Sequence, residues 1–360
     1  MEKLNISREA VMAALSKVEE PELHRDLVSL NMVHNLEIQD STVKLDLVLT
    51  TPACPLKDKL EADARQAVLS VPGVKSVEIK LNAVVRPDGQ NRGQTPLKIK
   101  NIVAVASGKG GVGKSTVAVN LSVALAKAGA KVGLLDADIY GPNVPTMMGV
   151  DRLPPMHSNK ILPAEAFGVK VMSIGFLIPP GQAVIWRGPM LHSAIRQFLY
   201  DVDWGELDYL IVDLPPGTGD AQLSLTQSVP LTGGLIVTLP QAVSLEDASR
   251  AIWMFKELNV PVLGIVENMS YLQLPDGTRM DVFGQGGGQK LAESTGVPFL
   301  GSIPLDPAVR ISGDEGQPVV QSNPESSPAL ALTQLTEKLA AQISIAAYNN
   351  QGGIKIEVTG

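Results

Sequence analysis

Residues 99–128 read IKNIVAVASGKGGVGKSTVAVNLSVALAKA: an apolar run, a glycine-rich loop and a long apolar segment of helical type in direct succession. No other stretch restricts the fold as strongly. Its centre fits the pattern G-x-x-x-x-G-K-[ST] at Gly108, Gly113, Lys114 and Ser115. Glycines there let backbone N–H groups converge on phosphate oxygens, and a helix starting near Lys114 adds the positive end of its dipole. Lys114 is expected to reach the β- and γ-phosphates of ATP, and the Ser115 hydroxyl to face Mg²⁺. The whole loop (Gly108, Lys109, Gly110, Gly111, Val112, Gly113, Lys114, Ser115 and Thr116) is the expected nucleotide contact. The alternative is a glycine-rich turn that matches by chance, and the flanking strand and helix speak against it.

Four further runs, KVGLLD, DYLIVDLP, GLIVTLP and PVLGIVEN, are short and nearly all apolar, and they alternate with helical segments such as 115–128 and 244–258. Strands without polar alternation are buried on both faces, which means a parallel sheet between two helix layers. Asp136 and Asp138 close the first of these runs and Asp213 the second. Carboxylates in such places meet Mg²⁺ or the attacking water, or else they cap the following helix. Pro215, Pro216 and Gly217 then make a stiff turn, and Gly217 and Gly219 would let it respond to a γ-phosphate. The segment 327–346 places Leu332, Leu335, Leu339 and Ile343 on one helical face and reads as a packing helix.

Upstream, residues 5–85 read as a separate, small α/β unit. Ser7 caps a helix whose apolar face is Val11, Leu15 and Val18. Val43, Leu45, Leu47 and Leu49 alternate with Lys44 and Asp46, as in a strand with one wet face. A second helix carries Leu60, Ala64, Ala67, Val68 and Val71 inward, and Val77, Ile79 and Leu81 form another alternating strand. Residues 86–98, RPDGQNRGQTPLK, are polar and rich in Gly and Pro, as a linker would be. The expected domains are therefore 1–85, the linker 86–98, and 99–360.

With 37 acidic against 30 basic residues the formal charge is −7, and no basic stripe stands out, so a broad nucleic-acid surface is not expected. No stretch has the length and apolarity of a membrane span, and no signal peptide is evident, so a cytoplasmic protein is expected. Cys54 is the single cysteine, and His24, His34, His157 and His192 lack metal-ligand spacing.

The lysine directly after the first glycine, Lys109, resembles the signature of the deviant P-loop group that includes MinD, ParA and the nitrogenase iron protein. The resemblance implies a sandwich homodimer in which Lys109 reaches the partner's nucleotide. A finger residue of that kind is worth about 10³ to 10⁵ in rate. It also implies that Asp138 orients the attacking water (Asp136 being second choice), that Asp213 holds Mg²⁺ through water, and that Asn268, with Pro304 and Asp306, surrounds adenine. The segments WRGPMLHSAIRQFLYDVDWGELDYLIVDLPPGTGD, DADIYGPNVP and IVENMSY look like the Mrp/ApbC family of iron–sulfur cluster carrier ATPases over residues 99–345. EPELHRDLVSLNMV and TTPACPL resemble the small PaaD/SufT-like domain associated with iron–sulfur assembly.

That resemblance implies an ATPase whose cargo is a 4Fe–4S cluster and whose partners are a second copy and apo-protein clients. Cluster-bridging members of the family carry a Cys-x-x-Cys pair after the Asn-Met-Ser segment, whereas ENMSYLQLPDGTRMDVFGQGGG has no cysteine. Four thiolates ordinarily hold such a cluster, so the ligand set is incomplete. Cys54 is the remaining candidate, its thiolate favoured if a helix begins near Leu56; a small buried hydrophobe is the alternative. A competing function is an ATP-gated positioning or scaffold protein of the MinD/ParA kind. An electron-transfer ATPase ranks last, because it needs the missing cysteines.

Overall fold

In the computed structural model, which describes residues 6–90, 97–155, 160–177, 188–274 and 276–350, the apolar runs line up in an eight-stranded sheet. Its order is Phe299–Ser302, Val262–Glu267, Gly233–Thr238, Ile99–Ala106, Leu207–Asp213, Val132–Asp136, Val169–Ser173, Ala164–Ala166. All neighbours run parallel except the final pair. Every residue of Val132–Asp136 and Gly233–Thr238 is buried. That is why these strands show no polar alternation: helices cover both faces.

The strand Ile99–Ala106 shows how the two layers form. Val103 and Val105 join one core with the helices Lys114–Lys127 and Ser327–Asn350. Ile102, Ala104 and Ala106 join the other core with Gly188–Tyr200, Asp220–Ser228 and Ala242–Glu257. The helix Lys114–Lys127 buries Val117 through Leu125 without a break. Wedged between sheet and last helix, it needs an apolar surface nearly all round. Leu332, Leu335, Leu339 and Ile343 pack inward from that last helix.

The main sheet of the first unit has three strands in sequence order, Val33–Gln39, Thr42–Leu49 and Ser76–Ala83. The first pair is antiparallel and the second parallel. Val43, Leu45, Leu47 and Leu49 are buried and Lys44 and Asp46 half-exposed, as the alternation requires. Ser7 caps the helix Arg8–Leu15 by accepting from the Ala10 N–H at 3.1 Å. That helix ends at Leu15, so Val18 reaches the core from the turn beyond it and not from a third helical position. Val71 likewise lies past the Ser70 cap of Lys57–Leu69.

The small unit docks against the amino ends of the large sheet. Tyr209, near the start of its strand, donates to Thr51 Oγ1 at 3.0 Å. Ile345 of the last helix enters the small unit's core, while Ala53 and Val85 enter the large one. Arg25 bonds to the Tyr348 hydroxyl. Residues 86–90 are held from both sides: Arg86 Nη2 donates to Leu30 O at 2.8 Å, Asn101 Nδ2 donates to Arg86 O at 3.0 Å, and Gln90 Nε2 donates to Leu231 O at 2.6 Å. Trp186, His157 and residues 91–96 and 351–360 lie outside the described residues, as does the side chain of His192.

Candidate nucleotide site

The strands Ile99–Ala106, Leu207–Asp213 and Val132–Asp136 end side by side, with Asp213 in register with Val105 on one side and Asp136 on the other. Ligands of open α/β sheets bind outside the carboxyl ends of the strands. Here that edge carries the glycine-rich loop. Gly111 and Gly113 take φ of +78° and +81°, the left-handed region where a side chain is strained. Gly108 has a different reason: a Cβ there would stand 2.1 Å from the Asp247 carbonyl carbon, because the helix Ala242–Glu257 presses on the loop.

Lys114 begins the helix and is 5% exposed. Its Nζ donates to Asp213 Oδ1 at 2.7 Å and to Ser115 Oγ at 3.3 Å, and lies 3.4 Å from Asp138 Oδ2. Burial pulls its pKa down, but the carboxylates of Asp213 and Asp138 outweigh this and raise it, so the ammonium stays charged. Asp213 Oδ2 is buried and, among the described residues, has no hydrogen-bond partner. Burial raises the Asp213 pKa and the Lys114 ammonium opposes that rise; a carboxyl oxygen so placed suits a cation or its water shell, and with the Ser115 hydroxyl nearby the donor set fits Mg²⁺.

Asp136 is differently employed. Its Oδ2 accepts from Ser173 Oγ at 2.8 Å and from the Val144 N–H at 3.3 Å, and its Oδ1 from the Asp138 N–H at 3.1 Å. Burial, then the neighbouring Asp213, pushes its pKa up to about 8. This carboxyl shapes the turn that presents Asp138, while Asp138 itself faces Lys114. Ser173 carries no motif signal; only the sheet order places it beside Asp136.

Lys109 is half-exposed, and among the described residues its ammonium makes no hydrogen bond or ion pair, while its carbonyl accepts from Ser107 Oγ at 2.9 Å. The Gly217 N–H donates to Ser107 O at 3.0 Å, so the Pro215–Gly219 turn rests on the glycine-rich loop. Asn268 Nδ2 donates to Val112 O at 2.8 Å, which turns its amide to bracing the loop. Asp306 caps the helix Pro307–Asp314 by accepting from the Ala308 N–H at 2.7 Å, and Pro304 is buried beside it. A residue with no sequence signal also helps: Glu267, fully buried, accepts from the Gly286 and Gly288 N–H groups at 3.3 and 2.6 Å.

A family profile described as NUBPL iron-transfer P-loop NTPase matches residues 98–340, and one described as iron–sulfur cluster assembly protein matches residues 8–81. The chain belongs to the iron-transfer P-loop NTPase family. It is 53% identical over 354 residues to an iron–sulfur cluster carrier protein of Synechocystis, covering 95% of this chain and 99% of that one. A protein of the same description from Deinococcus radiodurans is 55% identical over 340 residues, covering 94% and 96%. Among solved structures, a nucleotide-binding protein of Archaeoglobus fulgidus in complex with ADP is 40% identical, with a TM-score of 0.56, covering 64% of this chain and 90% of that one. These relatives and the sheet order agree on a MinD-like P-loop NTPase preceded by an iron–sulfur-assembly domain.

Cys54 in this P-loop NTPase departs from the expected reactive thiol. It precedes the helix Lys57–Leu69, as expected, but it is buried in the small unit's core, of which Leu23, Leu27 and Leu60 are also part. Burial pushes its pKa up to about 11; the Leu56 N–H works in the opposite direction, and the carboxylates of Glu22, Glu20 and Glu337 add to the rise. The helix start is present and is outweighed. Among the described residues no group of three His, Cys, Asp or Glu side chains is placed to hold a metal ion, and no helix is long and apolar enough to cross a membrane.

Proposed function

We propose that this chain binds and hydrolyses ATP with Mg²⁺ as a homodimer, and uses that cycle to hold iron–sulfur clusters and pass them to apo-protein clients in the cytoplasm. The observation that carries the reading is the buried group Lys114, Asp213 and Asp138 behind a glycine-rich phosphate loop. Its support on the cargo side is the description of the relatives as iron–sulfur cluster carrier proteins.

In this reading the N–H groups from Gly108 to Thr116 bind the phosphates, and Lys114 leaves the carboxylates for the β- and γ-phosphates. Ser115 and Asp213 would hold Mg²⁺, which supplies charge neutralisation at the transferred phosphoryl. Asp138 orients the water, with Asp136 fixing its turn, and Lys109, whose ammonium is unengaged among the described residues, adds charge at the partner's nucleotide. Asn268, Pro304 and Asp306 flank the adenine. The division into 1–85, 86–98 and 99–360 gives the nucleotide switch to the last part and the cargo chemistry to the first.

A 4Fe–4S cargo would take the two Cys54 thiolates of a dimer, with the remaining ligands from the client. Because the thiol is buried and hard to ionise, loading requires the region around Cys54 to open. Anaerobic reconstitution with iron and sulfide, followed by quantitation of both, tests this: wild type is expected to give a coloured, iron-containing product and Cys54→Ser to give none. A colourless wild-type product would reject the cargo. ATP-dependent co-pelleting with liposomes or DNA would instead favour a positioning protein.

A further inference from the structure

Gln222 is 1% exposed, and among the described residues neither its Oε1 nor its Nε2 has a hydrogen-bond partner. A primary amide offers two donors and an acceptor with two lone pairs, so a whole hydrogen-bonding group is buried unsatisfied. Native interiors seldom tolerate this, and where they do the group calls for an explanation. Its place in the chain supplies one.

Gln222 lies in the first turn of the helix Asp220–Ser228, which opens directly after the Pro215–Gly219 turn. That turn follows Asp213 and rests on the glycine-rich loop through the Gly217 N–H and Ser107 O. Gly217 has φ +93°, and Gly219, the N-cap, has no side chain with which to cap the helix. The helix start is thus joined to the phosphate loop through the Gly217 contact, with Gly217 and Gly219 as the hinge beyond the stiff Pro215–Pro216 pair. On its inner face Gln222 stands in line with Leu225 and Thr226, three and four positions on and so one turn away, which are also buried. An apolar side chain of similar volume would suit that surface better than an amide does.

We propose that Gln222 is a positioning residue for the ATP switch: its unsatisfied amide raises the energy of this arrangement, in which Lys114 is bound by Asp213 and Asp138, and gains partners when the hinge closes on a γ-phosphate. Resting on the ATPase reading above, this adds how the switch is poised. The energy released when the amide is satisfied then contributes to ATP binding, and ADP, lacking the γ-phosphate, does not draw on it. A ligand shifts such an equilibrium only by its differential affinity for the two arrangements.

The test is Gln222→Met, which keeps the volume and removes the amide, examined by thermal unfolding without nucleotide and by equilibrium binding of Mg-ATP and Mg-ADP. The expected result is a higher melting temperature and about a tenfold loss in ATP affinity relative to ADP, equal to about 1.4 kcal/mol. A merely structural amide would alter melting without moving the ATP-to-ADP ratio. The inference is overturned if the variant unfolds at a lower temperature than wild type, as it would if a buried water satisfied the amide, or if the ratio stays put. A wild-type chain that binds neither nucleotide would instead sink the ATPase reading, so the two failures are distinct.

Discussion

At the scale of single residues, the ionic group around Lys114 decides the chemistry. A buried ammonium is tolerable only because two carboxylates face it at 2.7 and 3.4 Å. Lys114→Ala should weaken ATP binding by about 10- to 100-fold, since a hydrogen bond to a charged group is worth about 1.5–3 kcal/mol; isothermal titration would measure it, and wild-type affinity would remove Lys114 from the phosphate site. Motif spacing made Lys114, Ser115 and Asp213 legible. The packing around Cys54 was not legible, because its neighbours Glu20, Glu22 and Glu337 come from the segment 19–22 and from the last helix. With the thiol's pKa pushed to about 11, Cys54 should react slowly with iodoacetamide at pH 7.5 in the folded chain and rapidly in urea. Equal rates in both conditions would show an open thiol.

Among elements, the glycine-rich loop owes its shape as much to its neighbours as to its own glycines. The helix Ala242–Glu257 leaves no room for a Cβ at Gly108, where Asp247 backbone atoms would lie at 2.1 and 2.2 Å. Gly108→Ala should therefore lower stability by about 1–3 kcal/mol, the usual cost of overpacking, and displace the loop from its phosphate-binding form. Denaturant unfolding with a parallel nucleotide titration would check both, and an unchanged midpoint would mean the helix yields. The apolar runs announced the strands and their burial. Helix ends were less clear: Val18 keeps helical spacing with Val11 and Leu15 yet sits beyond the helix, because a turn can deliver a side chain to the same core.

For the whole molecule, docking sets the distance between the small unit and the proposed nucleotide site. Thr51 meets Tyr209 four residues before Asp213 along the same strand, which at about 3.3 Å per residue puts the small unit about 13 Å or more from the phosphate carboxylates. In the proposed cycle, coupling between Cys54 and nucleotide runs through the sheet, the last helix or a second chain. Folding also buries acid. Glu22 has its pKa pushed from 4.5 to about 7, by burial first and then by Glu20. The folded value lies above the unfolded one, so this contribution to stability is complete below about pH 4.5 and is lost as pH rises to about 7. Urea unfolding from pH 5 to 8 should show that decline, and Glu22→Gln should flatten it; an identical slope in the variant would assign the decline to other groups.

The order of apolar runs, the loop between the first strand and its helix, and the aspartates at strand ends follow from the sequence itself, because burial on two faces and phosphate binding each demand particular residues at short spacing. Sequence likewise fixed that the chain has one thiol. Tertiary structure decided what that thiol is: burial in the small unit's core, with carboxylates from the segment 19–22 and the last helix adding to it, raises its pKa against the pull of the Leu56 N–H at its own helix start. It also decided that Asp136 serves Ser173 and the turn, that Asn268 braces Val112, and that the Gln222 side-chain amide is buried without a partner among the described residues. Each of these depends on groups far apart in the chain, and local spacing carries no record of which of them will meet.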